Sequence, residues 1–363
     1  MKYVKQLDSL RALAIFTVIV VHWFPEGNWL YSFSVYANAP KIFFTISGFL
    51  ITSILLKEKN RAEISGSNKI LVFKNFFFKR ALRIFPAYFL VLTIWFFTRP
   101  STEPISFRYF ATFTANIYIY QTQIWPALAH LWSMSVEEQF YFFWPWIILL
   151  ARRRYLFTII ICAVLTGLIS QFIFTKNFAD VLTFSCMDAL GMGALLAWVA
   201  INKPHLINRY KNQIRFVAIG SFMLLIIQAL FTKPHILLST STLIVVMTIG
   251  IIAFFLGKHD EKKYFFSFLF EGKLLMQFGK MSYGIYLYHF LIPYYTYSTF
   301  PALMRFLNIT TVLKKGNYIW MFENFIILII VSVISYRFFE IPFLKLKKYF
   351  SNSQPSTQPV AIN

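Results

Sequence analysis

The chain has 363 residues, of which 58% are hydrophobic and 13% are charged, whereas about a quarter of the residues of a soluble domain carry a charge. A formal net charge of +21 would suit a nucleic-acid binder, but the lysines and arginines stand in short clusters between long apolar blocks. That placement is typical of the cytoplasmic loops of membrane proteins. Composition and charge therefore exclude a soluble globular domain, argue against a nucleic-acid partner and predict a protein embedded in the lipid bilayer.

Ten apolar stretches, each near the ~20 residues that a helix needs to cross a bilayer, predict an all-α, polytopic integral membrane protein with both termini in the cytoplasm. The predicted spans are residues 7–24, 40–56, 84–99, 136–151, 155–174, 181–201, 214–232, 235–256, 281–300 and 320–339. Of the 35 lysines and arginines, 25 fall in the predicted cytoplasmic segments, which agrees with the positive-inside rule.

The segment "FRYFATFTANIYIY" (107–120) is apolar enough to enter the bilayer. If it crossed completely, the "RRR" cluster at 152–154 would move to the outer side and every later loop would invert. We therefore expect this segment to be re-entrant or interfacial, on the outer side of the membrane.

The first predicted helix brackets an almost entirely apolar run with an arginine and a histidine, "RALAIFTVIVVH" (11–22). Arg11 and His22 are eleven residues apart, which is three helical turns plus about 20°, so both project from one face, about 16 Å apart along the axis. Ionisable groups within the membrane are costly and usually face a polar cavity. Alternatively, Arg11 reaches the headgroups and His22 is interfacial, but their shared face favours a joint function.

A second basic pair lies in "KRALRIFPAYFL" (79–90), at the predicted cytoplasmic start of the third span. Arg80 and Arg83 are three residues apart and therefore neighbours on one helical face. Two planar guanidinium groups so close together suit phosphate recognition. The alternative is that they only mark the cytoplasmic side.

Polar residues gather again in "HLWSMSVEEQFYFFWP" (130–145), where the chain is predicted to re-enter the membrane from outside. His130, Ser133, Glu137 and Glu138 are candidates for acid–base or nucleophilic chemistry. The alternative for the two carboxylates is compensation of the dipole at a helix N-terminus.

Four further polar residues interrupt apolar stretches as possible supporting groups. Asp188 lies in the middle of a predicted span, where a contact between helices is the simpler interpretation, and His289 lies in "SYGIYLYHF". Arg337 and Glu340 are three residues apart, a spacing typical of an ion pair at a helix end. A glycine, Gly48 in "SGF", marks a place where another backbone could approach closely.

The two cysteines, Cys162 and Cys186, both fall inside apolar segments. We therefore expect neither a disulfide framework nor a zinc site. No metal site is predicted.

Taken together, these stretches resemble the membrane acyltransferase-3 family, the bacterial O-acyltransferases of surface polysaccharides. The family's motifs are matched in order, from residue 7 to about 343, by "LDSLRALAIFTVIVVH", "FFTISGFLIT", "FFFKRALRIFPAYFL", "LWSMSVEEQFYFFWP", "SYGIYLYHFLI" and "YRFFEIP". The resemblance implies a multi-pass protein of the bacterial cytoplasmic (inner) membrane. It implies one acyltransferase-3-like transmembrane domain over 1–348. The polar C-terminal stretch "SNSQPSTQPVAIN" separately predicts a disordered cytoplasmic tail over 349–363.

Three positions depart from the family pattern. Ser9 stands where a glycine is common, and Lys41 stands where an acidic residue often precedes "FF". Cys186 stands where an arginine is expected, two residues before Asp188. The role of that arginine is therefore not transferred to this chain.

The resemblance implies transfer of an acyl group, acetyl in the simplest case, from acyl-CoA to a carbohydrate hydroxyl of a cell-surface or lipid-linked glycan. Acetyl-CoA would be a co-substrate, and no permanently bound cofactor is expected. Arg11, Arg80 and Arg83 would bind the polyanionic donor. His22 would act as general base on the acceptor hydroxyl or as a transient acyl carrier, because imidazole titrates near neutrality.

The remaining candidates would assist this reaction. Glu137 or Glu138 would orient or neutralise the imidazole of His22, and Ser133 is a second candidate nucleophile. The supporting set is His130, Asp188, His289, Arg337 and Glu340.

A different class of function uses the same buried charges. A proton-coupled transporter would employ arginine, histidine and glutamate side chains as a relay and substrate site, and a flippase would perform no chemistry of its own. Such transporters often show inverted repeats, and this sequence has no evident internal repeat.

Overall fold

The computed structural model describes residues 4–98, 106–174, 176–231, 239–257, 270–296 and 318–350, and every regular element within these ranges is helical. The α-helices are α1 Gln6–Trp23, α2 Trp29–Tyr36, α3 Ala39–Ser65, α4 Lys69–Thr98, α5 Phe107–Ala111, α6 Ala115–Thr122, α7 Trp132–Leu150, α8 Arg153–Ile173, α9 Met187–Asn202, α10 Pro204–Arg209, α11 Lys211–Phe231, α12 Thr240–Gly257, α13 Lys273–Tyr288, α14 Tyr318–Ile334 and α15 Ile341–Lys345. Short 3₁₀ helices occupy Ala129–Leu131, Ala179–Val181, Phe184–Cys186 and Leu346–Phe350, and a π-helix occupies Ser335–Glu340.

Eight helical segments of the described chain are long and apolar enough to cross a membrane. The multi-pass all-α architecture is therefore confirmed, whereas the count of ten spans and the cytoplasmic termini stay predictions. The predicted span at 136–151 corresponds to α7, which does not meet the same criterion; this helix carries Glu137 and Glu138 among its apolar residues. Of the predicted tail, Tyr349 and Phe350 belong to the 3₁₀ helix Leu346–Phe350, and residues 351–363 lie outside the described residues.

The helix α4 is longer than predicted. It begins at Lys69 rather than near residue 84, so Arg80 and Arg83 lie in its interior and not at a helix start. The prediction rests on the apolar block alone, but the buried residues Val72 and Phe76 are four residues apart before it and continue the apolar face towards the N-terminus.

The segment 107–120 does not form one spanning helix. It folds as α5 and α6, separated by a turn in which Phe113 has a φ of 55°. The hydroxyl of Tyr88 donates to the carbonyl oxygen of Phe110 (2.8 Å) and attaches α5 to α4. This geometry agrees with the expectation that the segment does not cross the membrane.

The helices α3 and α9 form the most extensive helix pair of the core. A Cβ atom on Gly48 would collide with the backbone of Leu190, and one on Gly193 would collide with the backbone of Thr45. Glycine at both positions lets the two backbones touch, as expected for Gly48.

A buried ion pair joins the same two helices. Lys41 Nζ on α3 lies 2.7 Å from Asp188 Oδ1 on α9 and donates to the carbonyl oxygen of Ser185 (3.0 Å). Gln171 donates to the other carboxylate oxygen, Oδ2 of Asp188 (3.0 Å). Lys41 and Asp188 thus neutralise each other's charge inside the helix bundle. The sequence suggested a contact between helices for Asp188, and this prediction is confirmed.

Removing one member of this pair is expected to destabilise the protein strongly. Lys41→Met leaves the Asp188 carboxylate buried without its cation, and such a loss costs about 3–5 kcal/mol. The double variant Lys41→Met/Asp188→Leu should cost less than the sum of the single variants, because no charge is left buried. Unfolding of the purified protein in detergent measures both effects.

The exposed pair Arg61–Glu58 (2.8 Å) provides the matched control. Arg61→Ala should change stability by less than about 1 kcal/mol, because solvent screens surface ion pairs. Equal effects of Lys41→Met and Arg61→Ala would contradict the assignment of Lys41–Asp188 as a structural pair.

Candidate active site

Three cavities follow one another along α1. The basic cavity, of about 580 Å³, is lined among others by Arg11, Arg80 and Arg83. The same three arginines also line the central cavity, of about 80 Å³, so the two are neighbours. The histidine cavity, of about 190 Å³, is lined by His22 and His130. The structure therefore places the predicted donor-binding residues together and His22 further along the same helix.

The basic cavity carries a strong excess of positive charge. Besides the three arginines, Lys57, Lys280 and Lys347 line it, against the carboxylates of Asp8 and Glu340. Arg11 Nη1 lies 3.4 Å from Asp8 Oδ1. The Arg80 guanidinium lies over the Tyr141 ring, 5.2 Å from its centre, which orients this side chain.

Glu137 belongs to the central cavity. Ser47 donates to its Oε1 (2.7 Å), and the hydroxyl of Tyr141 lies 3.1 Å from its Oε2. Arg11 and Arg80 are within electrostatic range of the carboxylate. Glu137 therefore lies with the arginines in the central cavity and not at His22, whose imidazole it was predicted to orient.

Glu138 points into the protein interior. Its side chain is buried, and its Oε1 makes no hydrogen bond with the described part of the chain. The residues in electrostatic range of Glu138 include Glu137 and Arg80. This position does not identify it as the partner of His22 either.

The imidazole of His22 contacts that of His289. His22 Nδ1 lies 2.9 Å from His289 Nε2, and the rings are stacked with their centres 4.9 Å apart. His289 Nδ1 lies 2.6 Å from the carbonyl oxygen of Tyr286. Trp23 donates its indole N–H to the carbonyl oxygen of His289 (3.0 Å), which ties the end of α1 to this position.

This geometry assigns the tautomers of the neutral pair. Because a carbonyl oxygen only accepts, His289 Nδ1 carries the proton and donates to Tyr286. His289 Nε2 is then an acceptor, so His22 Nδ1 donates to it. The unprotonated nitrogen of His22 is therefore Nε2, the atom that a general base or acyl carrier would use. His289, predicted only as a supporting residue, orients His22.

His130 packs beside this pair. Its ring centre lies 5.0 Å from that of His289, and it stacks on Phe290 at 5.2 Å. Neither ring nitrogen makes a hydrogen bond of normal geometry with the described residues. Although three histidines lie close together, no group of His, Cys, Asp and Glu side chains in the described ranges has the arrangement of a metal site.

Ser133 lies in the central cavity, bonded to Tyr286. Its Oγ is 2.7 Å from the Tyr286 hydroxyl, which itself hydrogen-bonds to the carbonyl oxygen of His130. Because the Tyr286 hydroxyl donates its proton to the carbonyl oxygen of His130, Ser133 is the donor in its bond to the tyrosine oxygen. A neutral tyrosine is a weak base, and this contact does not activate Ser133 as a nucleophile.

Arg337 and Glu340 do not form the predicted ion pair. Arg337 is exposed, whereas Glu340 is buried and lines the basic cavity. The reason is the π-helix over Ser335–Glu340, whose wider turn moves residues three apart onto different faces. The Ser335 hydroxyl is 3.5 Å from the Glu340 carboxylate instead.

Sequence reasoning missed the tyrosines of α13. Tyr283 lines both the basic and the central cavity, and Tyr286 lines both the central and the histidine cavity. The signal was present in "SYGIYLYHF", where Tyr283, Tyr286 and His289 recur at intervals of three and so follow one side of the helix. This spacing alone does not identify functional residues, because tyrosines are common in apolar helices.

Comparison with known proteins identifies the family of this chain. The family profile of an acyltransferase domain, acyltransferase-3, matches residues 4–338. A candidate O-acetyltransferase of Staphylococcus aureus strain COL is 26% identical over 408 aligned residues, which cover 100% of this chain and 61% of that protein. No solved structure matches the chain significantly.

Two further relatives carry more specific names. The peptidoglycan O-acetyltransferase OatA of Listeria monocytogenes is 25% identical, over 95% of this chain and 56% of its own length. The O-acetyltransferase OatA of Staphylococcus aureus strain NCTC 8325 is 26% identical, over 95% of this chain and 58% of its own length. The chain thus spans about three fifths of the relatives it matches. Because the family profile extends over nearly all of its residues, this chain belongs to the acyltransferase-3 family.

Proposed function

We propose that this protein transfers an acetyl group from acetyl-CoA to a hydroxyl of a cell-surface or lipid-linked glycan, at the bacterial cytoplasmic membrane. One observation carries the proposal: the oriented His22–His289 pair lies beyond a series of cavities that begins with clustered basic side chains. The names of the relatives support acetyl transfer to oxygen, and that of the Listeria protein supports a glycan acceptor such as peptidoglycan.

The basic cavity suits coenzyme A as the donor. Coenzyme A carries three phosphate groups, and six cationic side chains line this cavity against two carboxylates. Guanidinium groups bind phosphate oxygens through paired hydrogen bonds, which makes Arg80 and Arg83 the main candidates. The thioester end would then enter the central cavity past Arg11.

His22 would activate the acceptor. Its Nε2 takes the proton of the glycan hydroxyl while the hydroxyl oxygen attacks the thioester carbonyl carbon. The new C–O bond forms, the C–S bond breaks, and the leaving thiolate of coenzyme A receives the proton from His22. His289 Nε2 accepts from His22 Nδ1 throughout and stabilises the imidazolium, as an orienting carboxylate does in a catalytic triad. If His22 instead carries the acyl group, its Nε2 attacks the thioester carbonyl carbon and the C–S bond breaks, which releases the thiolate of coenzyme A. The acceptor hydroxyl oxygen then attacks the acyl group, the C–N bond breaks, and the hydroxyl proton passes to the released thiolate.

A direct assay tests this function. The purified protein in liposomes is given acetyl-CoA labelled in the acetyl group, with and without a lipid-linked glycan. We expect release of free coenzyme A and label on the glycan, both dependent on the acceptor. Absence of donor binding by the correctly folded protein would overturn the proposal. It would favour the transporter or flippase alternative, which the comparisons do not support.

A further inference from the structure

Tyr286 lies where the central cavity meets the histidine cavity and lines both. Its hydroxyl donates to the carbonyl oxygen of His130 and accepts from Ser133. His130 lies in the 3₁₀ helix Ala129–Leu131 and Ser133 at the beginning of α7, whereas Tyr286 belongs to α13. Two hydrogen bonds between different helices therefore hold the ring in its place.

The two sides of this ring differ in chemistry. Arg11, Arg80 and Arg83 line the central cavity, and the same three arginines line the neighbouring basic cavity. The histidine cavity contains no lysine or arginine among its lining residues in the described chain, and aromatic and aliphatic side chains surround His22 there. Phe43 contacts the Tyr286 ring from α3, with ring centres 6.4 Å apart. The ring thus separates a charged compartment from a largely apolar one.

We infer that Tyr286 is the movable partition between the donor side and the acceptor side of the protein. Held by His130 and Ser133, its ring closes the passage; turned away, it lets the acyl end of the donor reach His22. That the donor is a thioester rests on the proposed function, but the closure itself does not. The inference also gives Ser133 a role, because its hydroxyl holds the partition shut.

Accessibility of a cysteine in the central cavity tests the closure without any substrate. Met134 lines that cavity and is replaced by cysteine in a Cys162→Ser background, which removes the exposed native thiol; Cys186 is buried. The probe is a small, anionic, membrane-impermeant methanethiosulfonate, applied to either face of sealed vesicles. Lys57→Cys in the basic cavity and Val35→Cys beside the histidine cavity report which face is exposed to the probe.

With Tyr286 present, Met134→Cys should react from the face that modifies Lys57→Cys and remain protected from the face that modifies Val35→Cys. Tyr286→Ala should remove this protection. Tyr286→Phe keeps the ring but loses both hydrogen bonds, and should raise the rate from the Val35 face by about tenfold. Tyr288→Phe, on the same helix and bonded to Ser335, is the matched control and should change nothing.

Two results would overturn the inference. One is equal reactivity of Met134→Cys from both faces while Tyr286 is present. The other is continued protection in both Tyr286 variants, each eluting as a single folded species. Because labelling requires no donor or acceptor, a protein without acetyltransferase activity would still report whether Tyr286 closes the passage.

Discussion

Replacing His22 with alanine is expected to lower the turnover of acetyl-CoA by about 10²–10⁴-fold, the usual contribution of a general base. We assign no other basic group to the acceptor hydroxyl. The hydrogen bond from Nδ1 to His289 leaves Nε2 of His22 unprotonated and able to accept the hydroxyl proton. Because the basic cavity is built by other residues, binding of acetyl-CoA should persist in this variant. Release of coenzyme A and equilibrium binding of the donor are measured on the same preparation.

Two further histidine variants make the result specific. His289→Phe keeps an aromatic ring but removes the acceptor for His22 Nδ1, so it should lower turnover by a smaller factor than His22→Ala, with donor binding intact. His205 on α10 is exposed, and His205→Ala should leave turnover unchanged. Unchanged turnover in His22→Ala would refute the assignment of His22 as base or acyl carrier, whatever the behaviour of His289.

The first helix shows which structural features can be predicted from the sequence alone. The eleven-residue spacing predicts Arg11 and His22 on one face, and the structure places both at cavities along α1. The close approach at Gly48 follows in the same way from a small residue in an apolar helix. Both predictions depend only on the geometry of one helix, which a local pattern encodes.

Contacts between distant segments could not be predicted in this way. His22 and His289 are 267 residues apart, and Ser133 and Tyr286 are 153 residues apart. Helical periodicity identifies the polar face of each helix but not the helix that this face meets. For the same reason the sequence suggested Glu137 or Glu138 as the partner of His22, whereas the hydrogen-bond partner of Glu137 is Ser47 on α3.

The π-helix at Ser335–Glu340 could not be predicted from the spacing of residues in the sequence. Arg337 and Glu340 have the interval of an ion pair in an α-helix, and only a change of helix type separates them. This change turns Glu340 into the basic cavity, where it lies with Arg83 and Lys347. A local deviation in the backbone thus contributes a carboxylate to the proposed donor site.

The double variant Arg80→Ala/Arg83→Ala is expected to weaken binding of acetyl-CoA by about 10²-fold or more, because each lost charge-assisted hydrogen bond is worth about 1.5–3 kcal/mol. Both arginines line the basic and the central cavity, but neither lies at the histidine cavity. The KM for acetyl-CoA should therefore rise far more than kcat at saturation falls. Donor binding in the parent protein should also weaken with ionic strength, and this dependence should be shallower in the double variant.

Two matched variants separate phosphate recognition from loss of charge or packing. Arg80→Lys/Arg83→Lys keeps both charges but not the planar fork, and should weaken binding by an intermediate factor. Arg152→Ala/Arg154→Ala removes the same charge from exposed positions outside the cavities and should leave the KM unchanged. An unaltered affinity for acetyl-CoA in the folded Arg80→Ala/Arg83→Ala protein would show that the donor binds elsewhere. Since Arg11 and Glu137 share the central cavity with this pair, such a result would also remove the proposed route of the thioester towards His22.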